Sequence, residues 1–230
     1  MVESGGLENH CGSNSTEGSN PSLSAMIDLN FNCAVILNGT ITNEDIAFIK
    51  RCNNIIIAAD GAANILIYND IIPNYIVGDL DSFNSDIPKQ SQIINIHNQS
   101  LYDFEKCLNV AISNNLNRVL VFGINGGRYD HTLNNWSIFI KYTFDLDLFC
   151  YTSGEIGTLI TKDISFNTEL NGIISIIPTP TATLTANGLK WNLNNTILEF
   201  GKSEGARNIA ISNKITIKLH SGKYMLFRNY

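Results

Sequence analysis

Three apolar runs in this chain each stop on an acidic or glycine-rich turn, and this pattern restricts the fold more than any bulk property. Ile55 to Ala59 leads into Asp60-Gly61, and Tyr75 to Val77 leads into Gly78-Asp79-Leu80-Asp81-Ser82. Val119 to Phe122 leads into Gly123-Ile124-Asn125-Gly126-Gly127-Arg128-Tyr129-Asp130-His131. Short, continuously apolar, β-branched runs are typical of parallel strands covered on both faces. In open α/β sheets, ligands bind outside the carboxyl ends of such strands, at a topological switch point. Carboxylates for a cation, glycines for close backbone approach and one Arg for an anion together point to a metal-bound polyphosphate.

The rest of the first half alternates as such a sheet requires. Cys33 to Leu37 reads as a strand and Thr42 to Cys52 as a helix capped by Thr42 or Asn43. Further strands are expected at Ile55 to Ala59, Tyr75 to Val77, Ile93 to Ile96, Arg118 to Phe122 and Leu146 to Tyr151. Helices are expected at Ala62 to Tyr68, at Asp103 to Asn114 with Phe104, Leu108, Ala111 and Ile112 on one face, and at Asp130 to Tyr142. Residues 31–152 therefore predict a doubly wound, mostly parallel α/β domain.

From about residue 155 helical periodicity stops. Short strands follow at Gly157 to Thr161, Gly172 to Ile177, Thr196 to Glu199, Asn208 to Ile211, Lys214 to Leu219 and Lys223 to Phe227. Ser221-Gly222 reads as the turn of a terminal hairpin. Residues 155–230 thus predict a small all-β sandwich. Residues 1–25 are Gly, Ser, Asn and Glu with few apolar side chains and without the basic and apolar segments of a secretory signal, which predicts a disordered tail.

Composition narrows the function. A net charge of −6 without any basic run argues against a nucleic-acid surface. No apolar stretch approaches the length of a membrane span. The 5 cysteines are scattered, odd in number and never spaced as C-x-x-C, which argues against zinc or a disulfide framework and for a reducing cytoplasm.

Asp79 and Asp81 form a D-x-D where a strand opens into a loop, so both carboxylates can turn to one cation; Mg²⁺ favours one or two carboxylates plus phosphates and waters. A D-x-D by itself equally describes a solvated turn, and Asp60 at the neighbouring strand end strengthens the metal reading. In Gly123 to His131 the glycines allow backbone N–H groups to face an anion, the helix starting near Asp130 adds its positive end, and Arg128 can hold phosphate bidentately. His131, in a first helical turn, fits packing or capping as well as acid–base work. Asp103, Glu105 and Lys106 sit in another first turn, where acids simply favour the helix dipole.

Taken in order, these motifs resemble the thiamine pyrophosphokinase family. The matching pieces are Ala59-Asp60-Gly61-Ala62-Ala63-Asn64, Gly78-Asp79-Leu80-Asp81-Ser82, Asp103-Phe104-Glu105-Lys106-Cys107-Leu108 and Gly126-Gly127-Arg128-Tyr129-Asp130-His131. Gly188-Leu189-Lys190-Trp191-Asn192-Leu193, Phe200-Gly201 and Ser212-Asn213 follow. The resemblance implies an α/β domain followed by a β-sandwich, a homodimer, and transfer of pyrophosphate from ATP to thiamine. It implies that Asp60, Asp79, Asp81 and Asp103 surround Mg²⁺ and the phosphates. Gly61, Gly126, Gly127, Arg128, Asp130 and His131 would bind the polyphosphate, with Asp79, Asp81, Asp103 and Arg128 as catalytic residues. Trp191, Ser212 and Asn213 would form the thiamine pocket. The chain departs from the family pattern at Asn98-Gln99-Ser100, where many members carry acids, at Tyr102 in place of Thr, at Ala62 in place of Gly, and at Ala210-Ile211 before Ser212.

Overall fold

In the computed structural model, residues 31–52 and 54–230 are described; the tail expected over residues 1–25 lies outside them. Six strands form the parallel part: β1 (Cys33–Ile36), β2 (Ile55–Ala59), β3 (Tyr75–Gly78), β4 (Gln92–Asn95), β5 (Arg118–Phe122) and β6 (Asp147–Thr152). Their spatial order is β6-β5-β1-β2-β3-β4, with every neighbouring pair parallel. Four helices connect them: α1 (Asn43–Arg51), α2 (Asp60–Tyr68), α3 (Asp103–Ser113) and α4 (Tyr129–Tyr142). The chain builds outward from β1 to β4, then returns to place β5 on the other side of β1. The switch point therefore lies beside the carboxyl end of β1, between the turns that follow β2, β3 and β5. β1 is buried along its whole length, which is why its sequence is apolar without alternation.

The sheet does not stop at β6. β7 (Glu155–Ile160) turns back antiparallel on β6, and β12 (Lys214–Asn229), β9 (Ile173–Asn187) and β10 (Leu193–Glu199) continue the same sheet. β8 (Ile164–Asn167) pairs with the first half of β12, and β11 (Gly205–Ile209) with the first half of β9. Both ends of the two long strands feed one core: Ile174, Ile176, Leu184 and Ala186 from β9 meet Ile215, Ile217, Tyr224 and Leu226 from β12. The β-rich half thus curls over its own inner face. Met225 and Phe227, pointing the other way, pack on the α/β core, where the Phe227 ring meets Trp136 of α4 edge-on at 5.5 Å.

The expected hairpin at Ser221-Gly222 is not present; β12 runs straight through it. The register shifts between Leu219 and Ser221 and again between Gly222 and Tyr224, so the pair is a bulged stretch within one strand. Gly222 has φ +78°, and a Cβ there would sit 2.1 Å from the Thr181 carbonyl oxygen, so both the twist and the close approach require glycine. β9 likewise continues ten residues beyond Ile177, through Pro178 and Pro180.

Candidate active site

Asp60, Asp79 and Asp81 converge. One carboxylate oxygen from each lies within 4.8 Å of the others, with Asp60 buried, Asp79 half-buried and Asp81 exposed. Asp60 is the first residue of α2, and its Oδ1 accepts a 2.6 Å hydrogen bond from the Gly61 N–H. Its Oδ2 accepts from the Leu80 N–H at 3.2 Å. Leu80 stands at φ +70°, a left-handed conformation costly for a leucine, and the bond to Asp60 helps hold the turn that carries Asp79 and Asp81. Gly78 leaves the space that Asp60 fills: a Cβ there would lie 2.8 Å from the Asp60 Cγ.

Burial pushes the Asp60 carboxyl above the usual carboxylate range, and repulsion from Asp103 and Asp81 adds to this against the Gly61 hydrogen bond. Three carboxylates crowded together, one of them buried and repelled by its neighbours, form a donor set that suits a hard divalent cation such as Mg²⁺. Asn64, one helical turn after Asp60, fixes the loop beyond the D-x-D. Its Oδ1 accepts from the Asn84 N–H and the Ser85 hydroxyl, each at 3.0 Å, and its Nδ2 donates to the Ser82 carbonyl at 2.8 Å.

Beside the acids, a cavity of about 310 Å³ opens between the end of β1 and the first turns of α3 and α4. Asn38, Asp103, Gly126, Asp130, His131 and Asn134 line it. The structure thereby brings four of the expected residues to one cleft. Asp103 stands apart from the three-acid cluster, with its Oδ1 2.8 Å from the Lys106 Nζ. Arg128 grips Asp130 rather than pointing free: Nε and Nη2 donate to the two carboxylate oxygens at 3.1 and 2.9 Å. The Gly126 N–H donates to the Thr132 hydroxyl, and the Arg128 N–H to the Gly126 carbonyl, so in this conformation the loop satisfies part of its own anion cradle. Gly127, at φ +43°, has open space where a side chain would begin.

Trp191, Ser212 and Asn213 belong to the β-rich half and do not line this cavity. Trp191 is 55% exposed. The side chain of the buried Asn208 clamps its backbone, accepting from the Trp191 N–H at 3.2 Å and donating to its carbonyl at 2.7 Å. Lys190 places its Nζ 4.9 Å from the indole centroid. The turn at Gly188 is joined to the segment before Ser212 by the Ile211 N–H bond to the Gly188 carbonyl and the Leu189–Ala210 bridge, so the segment that carries Trp191 runs beside the one that carries Ser212 and Asn213.

Sequence reasoning did not assign Asn38, Asn64, Asn134, Asn208 or the conformation of Leu80. Asn64 was readable as a polar residue one turn from Asp60 on the same helix; the others carried no local signal.

A family model described as "Thiamin pyrophosphokinase, catalytic domain" matches residues 48–150, and another described as "Thiamin pyrophosphokinase, vitamin B1 binding domain" matches residues 161–224. The chain belongs to the thiamine pyrophosphokinase family. Thiamine pyrophosphokinase 2 and thiamine pyrophosphokinase 1 of Arabidopsis thaliana are each 29% identical to it, over 175 and 199 residues. These alignments cover 68% and 72% of this chain, and 65% and 74% of the plant proteins. Thiamin pyrophosphokinase 1 of Caenorhabditis elegans is 27% identical over 185 residues, 72% of this chain and 75% of the nematode protein.

The fold matches that of yeast thiamin pyrophosphokinase with a TM-score of 0.74 at 19% identity, covering 91% of this chain and 89% of that one. The Bacillus subtilis thiamine pyrophosphokinase structure gives 0.71 at 21% identity, covering 86% and 98%. The α/β class with a β-rich C-terminal part, expected from sequence, is thus the architecture of thiamine pyrophosphokinases. Among the described residues no helix is long and apolar enough to cross a membrane.

Proposed function

We propose that this chain transfers the pyrophosphoryl unit of ATP to the hydroxyethyl group of thiamine, giving thiamine diphosphate and AMP. The observation that carries the reading is the three-acid cluster at the carboxyl ends of β2 and β3, beside a cavity at the switch point between β1 and β5, in a chain matched by both family models. Asp60, Asp79 and Asp81 would hold Mg²⁺, which when bound neutralises the polyphosphate charge and stabilises the loose transition state of phosphoryl transfer. The thiamine hydroxyl oxygen bonds to the β-phosphorus, the bond from that phosphorus to the α,β-bridging oxygen breaks, and AMP leaves with that oxygen. The hydroxyl proton passes to a carboxylate, one of Asp79, Asp81 or Asp103. Arg128 and the Gly126-Gly127 backbone would receive the phosphates once Arg128 exchanges Asp130 for them, with His131 on the same cavity wall.

Thiamine is a cationic aromatic, and the exposed indole of Trp191 offers it stacking and cation–π attraction, with Ser212 and Asn213 on the neighbouring segment. The two separate cores support a division between residues 31–152, which would bind nucleotide and metal, and residues 155–230, which would hold thiamine. A homodimer would bring the Trp191 surface of one copy to the acidic cleft of the other. In support, an apolar groove of about 440 Å³ lies on α4 next to that cleft, lined by Leu133, Trp136, Ile140, Pro178, Phe200 and Met225. The four described cysteines are all free thiols, in keeping with a cytoplasmic location.

The deciding experiment follows AMP and thiamine diphosphate together in samples of protein, ATP and Mg²⁺, with and without thiamine. Equal, thiamine-dependent formation of both products is expected. Saturable thiamine binding without AMP would replace the enzyme reading with that of a binding protein, and neither signal from folded protein would refute both.

A further inference from the structure

Lys106 has a placement that its position in a helical first turn does not explain. Lysines in such turns ordinarily extend into water. This one has a side chain only 4% exposed, buried beside the acid cluster, with its ammonium 2.8 Å from Asp103 Oδ1. Burial alone would pull its pKa down, but the bond to Asp103 and the charges of Asp103, Asp79 and Asp60 outweigh this and hold it above its ordinary value. The ammonium is thus a buried cation bonded to Asp103 and close enough to feel the charges of Asp79 and Asp60.

The consequence concerns Asp103. Four carboxylates meet at this edge, yet only Asp60, Asp79 and Asp81 bring oxygens within ligating distance of one point. Asp103, nearly half exposed, lines the cavity with one oxygen tied to Lys106. The first turn of α3 that carries both residues is itself anchored. Glu105, buried, accepts from the Tyr102 N–H at 3.2 Å and from the Lys141 Nζ of α4 at 2.8 Å. The backbone from which Asp103 projects is thus fixed, and the contact that holds its carboxylate is the bond to Lys106.

We propose that Lys106 is a positioning residue: it holds Asp103 out of the metal cluster and keeps its second carboxylate oxygen turned to the cavity where the acceptor hydroxyl must arrive. This rests on the thiamine pyrophosphokinase reading and deepens it by dividing the four acids into three cation ligands and one substrate-facing group. A buried Lys supplies what a solvated one cannot, because its charge is in place before substrate binds and needs no rearrangement. It also keeps a fourth carboxylate from closing around the cation, leaving coordination positions for phosphate.

The test is a double-mutant cycle read by Mn²⁺ binding without nucleotide, so it stands apart from whether the protein makes thiamine diphosphate. Mn²⁺ affinity is measured for the wild type, Lys106→Met, Asp103→Asn and the double variant. With Lys106 present, Asp103→Asn should change the Mn²⁺ Kd by no more than about threefold, through its charge alone. With Lys106 replaced by Met, Asp103 is free to join the cluster, and removing it should then cost about 30-fold. Equal effects of Asp103→Asn in the two backgrounds would overturn the proposal, since they mean that Asp103 is a ligand in both or in neither.

If Lys106→Met does not fold, Asp103→Asn alone still decides: a loss of Mn²⁺ affinity of tenfold or more makes Asp103 a ligand and refutes the division. In turnover, Lys106→Met should lower kcat about 100-fold with the ATP KM nearly unchanged, and Lys106→Arg should recover part of the loss. A fall in activity that only tracks the folded fraction would mark Lys106 as structural.

Discussion

Arg128, the residue that caps α4, and Asp130, the second residue of that helix, form a bidentate ion pair with side chains 76% and 62% exposed. The pair holds the guanidinium above and the carboxyl below their ordinary pKa values, each through its bond to the other. Exposed pairs of this kind contribute little to stability, so exchanging Asp130 for a phosphate is cheap. Asp130→Asn should leave the fold intact and lower the KM for ATP by about two- to fivefold at low salt, an effect that fades as salt rises. An ATP KM that rises instead would show Asp130 contacting the nucleotide complex itself.

Asp79 and Asp81 are expected to behave oppositely. With Asp79 and Asp81 as the proposed cation ligands, Asp79→Asn or Asp81→Asn should lower turnover by about 10³-fold or more. Neither residue is fully buried, so the melting temperature of the metal-free protein should not fall. Near-normal activity in either variant would mean that the metal is held elsewhere.

Gly78→Ala tests the space around Asp60. The added Cβ would press on the Asp60 carboxylate from 2.8 Å, and the buried side chain must move. The expected outcome is a destabilisation of about 1–3 kcal/mol together with a weaker Mn²⁺ affinity. Calorimetric titration beside a denaturation curve separates the two; a stability loss with Mn²⁺ binding unchanged would detach Asp60 from the cation.

Trp191→Ala should raise the thiamine KM about tenfold with little change in kcat, the scale of one cation–π contact. The indole is more than half exposed, so stability should hold. Lys190→Met removes the ammonium that sits over the same ring and should leave thiamine binding equal or tighter. A weaker affinity in this second variant would mean that Lys190 recognises another part of the substrate.

Much of the catalytic edge was legible because strand ends announce themselves. An apolar run that stops at Asp or Gly places the following side chains at the sheet's carboxyl edge, so Asp60, Asp79 and Asp81 could be grouped before any geometry was known. Leu80 could not be read, since its left-handed backbone is held by the bond to Asp60 at the start of α2, twenty residues earlier in the chain. Lys106 was hidden for a similar reason: its sequence neighbours describe a solvated first turn, and only tertiary packing buries it. In the second half, Pro178, Pro180 and Gly222 read as strand breakers and turn formers. They are in fact positions within long strands where the sheet bulges and bends, a role that cannot be told from sequence when the partner strand is unknown.

The continuity of β9 and β12 has a mechanical consequence. These strands run from the second core to the face packed against α4, so no flexible linker divides the β-rich half that carries Trp191 from the acidic edge. The subunit is built like a single beam, and clamshell closure of its halves would have to tear a shared hydrogen-bond ladder. Substrate capture is therefore left to the short loops after β3 and β5, or to a neighbouring copy, and heat or denaturant should melt both halves in one transition.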